Sequence, residues 1–210
     1  MKTSMIIPCY FATEELVDMT DDCLDSLEDE RPDEVILVDD CSPIHASFAN
    51  VECIRRDTNG RFPKAVNTGL KEAKGDILIV SNNDIIFYPG WLEGLKKALK
   101  KYDIASIRVS DSDGWETEDK YTEGDYFGSL WAMKRKVYDT IGGLDEAFEL
   151  GAFEDKDYYN RAIEAGFTIG KYHGALVEHI GRATNDLVFK DHEDFISSRE
   201  VYKKKYGRVD

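Results

Sequence analysis

The sequence predicts an α/β fold, one domain over residues 1–210 built on a doubly wound, mostly parallel sheet. Three observations predict it. Val35-Ile36-Leu37-Val38 and Ile77-Leu78-Ile79-Val80 are apolar at every position, as strands covered on both faces are. Stretches with helical spacing alternate with these strands. Polar residues collect where each strand stops, at Pro8-Cys9-Tyr10, Asp39-Asp40-Cys41-Ser42 and Asn82-Asn83-Asp84. In an open parallel sheet those carboxyl ends line the ligand crevice.

The elements follow in order. Met5-Ile6-Ile7, closed by Pro8, is the first strand, and 14–29 is a helix with Leu16, Cys23, Leu24 and Leu27 on one face. The second strand is 35–38, a short strand covers 51–56, and a helix over 63–74 stops at Gly75 before the strand at 77–80. Such an order implies right-handed crossovers. The second half is less regular. It reads as a strand at 126–133, a short helix at 134–141, a turn at Ile141-Gly142-Gly143-Leu144-Asp145 and a helix at 154–165. One or two strands over 168–177 lead to Glu178-His179. An amphipathic helix over 190–206 carries Phe195, Val201 and Tyr202 on one side and ends in a solvated Lys203-Lys204-Lys205 turn.

Composition narrows the function. Apolar residues make up 42% of the chain, so a packed core is expected and disorder is not. Lys plus Arg number 27 against 42 for Asp plus Glu, a formal charge of −15 that repels nucleic-acid phosphates and anionic lipid. No run approaches the ~18 apolar residues of a membrane span, and the N-terminus reads as a strand, not a signal peptide. Cys9, Cys23, Cys41 and Cys53 form no C-x-x-C pair, so buried, reduced thiols in the cytoplasm are expected.

The glycine-rich fingerprints of dehydrogenases and P-loop enzymes are absent, so phosphates must be held another way. In an acidic chain a divalent cation bridging carboxylates to a diphosphate does this, and Mn²⁺ or Mg²⁺ accepts oxygen and imidazole donors while keeping positions open. In Asn82-Asn83-Asp84, positions 82 and 84 point the same way if the backbone stays extended. Trp115 and Trp131 have rings that could stack on a ligand, but packing in the core or a loop is the expected role of each.

Four blocks, in this order and spacing, resemble the GT-A-fold glycosyltransferases of family 2: SMIIPCYFATEEL, EVILVDDCSP, NGRFPKAVNTGLKEAKGDILIVSNNDIIFYPGWLEGL and GSLWAMKRKVYDTIGGLDEAFELGAFEDKDYYNRAIEAGF. The resemblance implies a nucleotide-sugar-binding half over 1–100 and an acceptor-side half over 101–210. It implies that the turn with Pro8 and Tyr10, the pair Asp39 and Asp40, and Arg61, Asn67, Asn82 and Asn83 surround the nucleotide. Asp40 would take a base N–H. Asp84 matches the last Asp of the D-x-D metal motif, and Asn82 stands where the first Asp is usual, which leaves a neutral oxygen there. His179 matches a histidine that completes the metal site in some members. Asp155 matches the catalytic base with Glu154 beside it, while Gly128 and Trp131 fall on the side of the donor sugar and acceptor.

The implied reaction is inverting transfer from a UDP- or dTDP-sugar to a glycan hydroxyl. Asp155 removes the proton, and the cation stabilises the leaving diphosphate. The N-N-D form and the I-G-G-L-D-E-A-F block are similar to rhamnosyl- and related transferases of surface polysaccharides. Two other readings compete. A nucleotidyltransferase needs a Gly- and Lys/Arg-rich loop where this chain has CYFATEEL, and a non-catalytic binder has no use for Glu154-Asp155. The sequence leaves open a free enzyme or the catalytic piece of a longer, multidomain polypeptide.

Overall fold

A computed structural model describes residues 1–124, 128–148, 152–181 and 193–207. Its strands are β1 (Thr3–Cys9), β2 (Glu34–Asp39), β3 (Glu52–Arg55), β4 (Ile77–Ser81), β5 (Ile85–Phe87), β6 (Ile104–Val109), β7 (Tyr121–Glu123), β8 (Leu130–Lys134) and β9 (Ile169–His179). The helices are α1 (Glu14–Asp25), α2 (Arg61–Glu72), α3 (Trp91–Lys101), α4 (Ser110–Asp113), α5 (Arg135–Ile141), α6 (Glu154–Glu164) and α7 (Glu193–Tyr206). The strands form one sheet in the order β3-β2-β1-β4-β8-β6-β9-β5, with β7 on β9. β1, β2, β3 and β4 run together, β8 runs against β4 and β6, and β6 and β9 are parallel. With β5 and β7 antiparallel to β9, the sheet is mostly parallel, as expected.

The apolar runs are explained by burial on both faces. In β1, β2 and β4, Met5, Ile7, Val35, Leu37, Ile77 and Ile79 pack with Leu16 and Leu24 of α1 and Leu95 of α3. Their neighbours Ile6, Ile36, Val38, Leu78 and Val80 pack on the opposite face with Val66 and Leu70 of α2 and Tyr158 of α6. Each fully buried aliphatic side chain contributes about 1.5–3 kcal/mol, so in β1, β2 and β4 polar residues are confined to the strand ends.

Several expectations are corrected. The first helix stops at Asp25, not 29, because Ser26 turns its hydroxyl back onto the Cys23 carbonyl (2.7 Å) and accepts the Phe87 N–H (3.0 Å). A 3-10 turn, Glu28–Glu30, follows. The strand expected at 126–133 begins at Leu130, with 126 and 127 outside the described residues, as are 190–192 and the Phe195 side chain. Lys205 is not merely solvated: its Nζ lies 2.6 Å from both Asp145 and Asp157. Asp157, fully buried, also accepts from Arg161 and Tyr206 at 2.8 Å each, and Tyr202 joins Phe148 and Phe153 in a small core. These contacts dock α7 beside the start of α6. All four cysteines are free, but only Cys9 and Cys23 are buried, and Cys53 is exposed. No described helix is long and apolar enough to cross a membrane.

Candidate active site

The six co-directional strands end at one edge of the sheet, which gathers Tyr10, Asp40, Arg56, Asp84, Ser110 and His179 there. The loops after β1 and β2 are stitched together. The Ser42 hydroxyl accepts the Phe11 N–H (2.8 Å) and donates to Asp39 Oδ1 (2.5 Å), whose carboxylate also pairs with Arg55. Asp40 pins the start of α2 to the end of β2. It accepts the N–H groups of Gly60 (3.0 Å) and Arg61 (2.7 Å), and its Oδ1 lies 2.8 Å from Arg56 Nε in an ion pair. Arg61 sits here with φ +66°. Asp39 and Asp40 are thus buried and engaged by groups of β3 and of the loops that follow β2 and β3. Tyr10 and Arg61 are half-buried at the same edge.

Asp84 and His179, from the two halves of the chain, meet at this edge, with Oδ1 and Nε2 3.2 Å apart. Backbone pairing places them: Ile85 of β5 is in register with His179 of β9, and the Ile180 N–H donates to the Asp84 carbonyl at 3.0 Å. Ser110 at the start of α4 accepts the His179 N–H at 3.2 Å. Residues 82–84 bend between β4 and β5, so the extended geometry that would align Asn82 with Asp84 is not formed. A carboxylate oxygen and an imidazole nitrogen suit Mn²⁺ or Mg²⁺. Among the described residues no third His, Cys, Asp or Glu joins them, which leaves positions for ligand oxygens.

Glu154 and Asp155 open α6, where the helix N-terminus favours negative charge. Asp155 is half-buried, and its Oδ1 accepts the Lys156 N–H at 2.8 Å. Burial first, and the charge of Asp155 second, push the Glu154 carboxyl from 4.5 up to about 7. The folded protein therefore binds this proton more tightly than the unfolded chain, and stability falls as pH rises from about 4.5 to about 7. Glu154→Gln, neutral throughout, removes that loss. It should stabilise the protein at pH 8 by on the order of 3 kcal/mol and do little at pH 4. Urea unfolding at the two pH values checks this; an equal effect at both refutes the raised value.

Several other expected site residues are engaged within the protein. Asn67 is a clamp: its Oδ1 accepts the Leu144 N–H (2.8 Å), and its Nδ2 donates to the Leu144 carbonyl and Glu146 Oε1 (2.9 Å each). A Cβ at Gly143 would stand 2.1 Å from Asn67 Oδ1, which explains that glycine. Asn83 is buried and donates to Thr20 Oγ1 at 2.8 Å. Pro8 is buried within β1. Trp131, 2% exposed, packs its ring 5.2 Å from that of Tyr158, in line with the core packing expected of it. At Gly128 an added Cβ would meet nothing within 4 Å, so protein packing does not demand the glycine. The residues not anticipated are Arg55, Arg56 and Ser110. Arg55 comes to Asp39 through the parallel register of β2 and β3, which only the strand pairing reveals.

Residues 4–153, containing β1 to β8, match Glycosyl transferase family 2. The chain belongs to that family. This glycosyltransferase is 25% identical over 188 residues to the uncharacterized glycosyltransferase YwdF of Bacillus subtilis (strain 168), covering 78% of the chain and 69% of YwdF. It is 34% identical over 111 residues to the dolichol-phosphate mannosyltransferase of Pyrococcus furiosus, covering 48% of the chain but only 30% of that protein. Among solved structures, S. aureus TarS 1–349 in complex with UDP-GlcNAc superposes with a TM-score of 0.69 at 18% identity, covering all of this chain and 68% of that one. GalNAc-T7 with UDP, GalNAc and Mn²⁺ gives 0.70 at 15%, covering 85% of this chain and 43% of that one. The fold is therefore GT-A.

Proposed function

We propose that this glycosyltransferase moves a hexosyl or deoxyhexosyl group, with inversion, from a UDP- or dTDP-sugar to a hydroxyl of a glycan acceptor. The observation that carries the reading is the 3.2 Å approach of Asp84 to His179 at the carboxyl edge of the sheet. Support comes from fold neighbours bound to UDP-GlcNAc and to UDP, GalNAc and Mn²⁺. Asp84 and His179 would hold a Mn²⁺ or Mg²⁺ ion, which when bound supplies Lewis-acid stabilisation to a departing diphosphate.

The remaining work belongs to the chain's own groups. Asp155 accepts the acceptor hydroxyl proton as the new C–O bond forms at the anomeric carbon and the bond to the diphosphate oxygen breaks. Glu154, carrying a proton for much of the time near neutrality, orients the acceptor. Tyr10 and Arg61 face the base from a rim that Asp40 holds rigid. Free thiols at Cys9, Cys23, Cys41 and Cys53 fit a cytoplasmic setting.

A polar pocket rejects the wrong base because its buried groups lose their partners. UDP or dTDP should therefore bind at least about tenfold more tightly than GDP in Mn²⁺ buffer. Calorimetry with the three nucleotides decides it, and equal or tighter GDP binding refutes the base assignment. Incubation with sugar nucleotides should release nucleoside diphosphate; release of pyrophosphate, or of nothing from any donor or acceptor, refutes sugar transfer.

A further inference from the structure

Of the three tryptophans, Trp91 and Trp131 are 1% and 2% exposed, whereas Trp115 is 58% exposed. Leaving so large an apolar ring in water forgoes burial energy, and the turn that carries it is firmly held. Just before Trp115, the Asp113 carboxylate accepts the Val109 N–H at 3.0 Å and the buried Lys171 ammonium at 3.0 and 3.1 Å. The Gly114 N–H donates to the Ser110 carbonyl at 3.2 Å, and the Ser110 hydroxyl accepts the His179 N–H, also at 3.2 Å. Beyond Trp115, the Glu118 N–H donates to the His173 carbonyl at 2.9 Å.

A second exposed aromatic faces it. The rings of Tyr88 and Trp115 lie 6.3 Å apart at 65°, forming a corner and not a stack. The Tyr88 hydroxyl is fixed by donating to Glu178 Oε2 at 2.7 Å, and Glu178 directly precedes His179. Because Ile85 pairs with His179, Tyr88, just past the end of β5, lies three residues along the chain from the level of His179. At ~3.3 Å per residue that is about 10 Å.

We propose that Trp115, Tyr88 and Glu178 form a platform that binds a neutral sugar ring of the glycan acceptor beside the transfer site. The inference rests on the sugar-transfer reading above. A sugar ring offers C–H groups to an aromatic face and hydroxyl donors to a carboxylate, which has lone pairs beyond the one Tyr88 uses. Glu178, in a chain of net charge −15, disfavours a phosphorylated or otherwise anionic ligand. Two aromatic side chains are also too small a surface for a stable protein interface, which buries roughly 1,200 Å² or more.

The test uses the whole chain, with wild type, Trp115→Ala, Trp115→Phe and, as a matched loss of exposed apolar surface elsewhere, Ile163→Ala (47% exposed in wild type). Each is applied to an array of neutral, acidic and phosphorylated glycans, and hits are titrated by isothermal calorimetry, which needs no tryptophan reporter and reads all four proteins alike. Wild type and Ile163→Ala should bind neutral glycans alike, Trp115→Ala about tenfold or more weakly, and Trp115→Phe in between. UDP affinity should be the same in all four. Wild type that binds no neutral glycan or binds only anionic ones overturns the platform, as does unchanged binding by Trp115→Ala. In each case nucleoside diphosphate release from a sugar nucleotide still decides the underlying reading separately.

Discussion

Asp155→Asn should lower kcat for sugar transfer by at least ~100-fold, the usual scale for a general base, while the dissociation constant for UDP stays within about twofold. The amide has the shape of the carboxylate, and its oxygen can still accept the Lys156 N–H that Asp155 Oδ1 takes at 2.8 Å. The fold should therefore survive while the proton acceptor is lost. Glu154 is not an equivalent substitute. One helical position turns the side chain by about 100°, and burial keeps Glu154 largely protonated below pH 7. Glu154→Gln should accordingly raise the acceptor KM and lower kcat less. Steady-state transfer and calorimetric UDP binding on both variants separate the roles. Near-normal kcat in Asp155→Asn beside an inactive Glu154→Gln would mean that the base is Glu154.

The parts of this molecule legible in the sequence are those whose signal is local or repeated. Val35–Val38 and Ile77–Val80 announce doubly covered strands because both faces of the sheet are packed. β5 and β7, at three residues each, and α4, at four, are too short for any periodicity to register. α3 carries a clear helical stripe, with Trp91, Leu92, Leu95, Ala98 and Leu99 all buried, and its first half lies within the third of the family-like blocks. Direction is the harder problem. Asn67, Asn83 and Trp131 have chemistry suited to a ligand, but each is claimed by a residue distant in sequence, Leu144, Thr20 and Tyr158, and composition alone does not reveal that. The Asp84–His179 meeting is of the same kind. It depends on β9 pairing with β5, so only the resemblance to a family suggested it.

Asp84→Ala should weaken Mn²⁺-dependent UDP binding by more than ~100-fold, and His179→Ala by on the order of tenfold. The difference follows from charge. Asp84 is an anion with 8% of its side chain exposed, so it faces a divalent cation through little screening water. His179 offers a neutral donor that water can replace at modest cost. Asp84→Asn tests whether charge or shape matters, since the amide keeps the volume and one oxygen; binding should remain close to that of Asp84→Ala if charge dominates. Calorimetric UDP titrations with and without Mn²⁺, together with the electron paramagnetic resonance signal of free Mn²⁺, measure the effect without requiring turnover. Thermal unfolding in chelator must first show that each variant is folded. Asp84 is buried beside His179, and removing one partner of such a pair can itself cost stability. If folded Asp84→Ala and His179→Ala proteins retain the wild-type manganese dependence, the cation binds elsewhere and the 3.2 Å pair is only a structural contact.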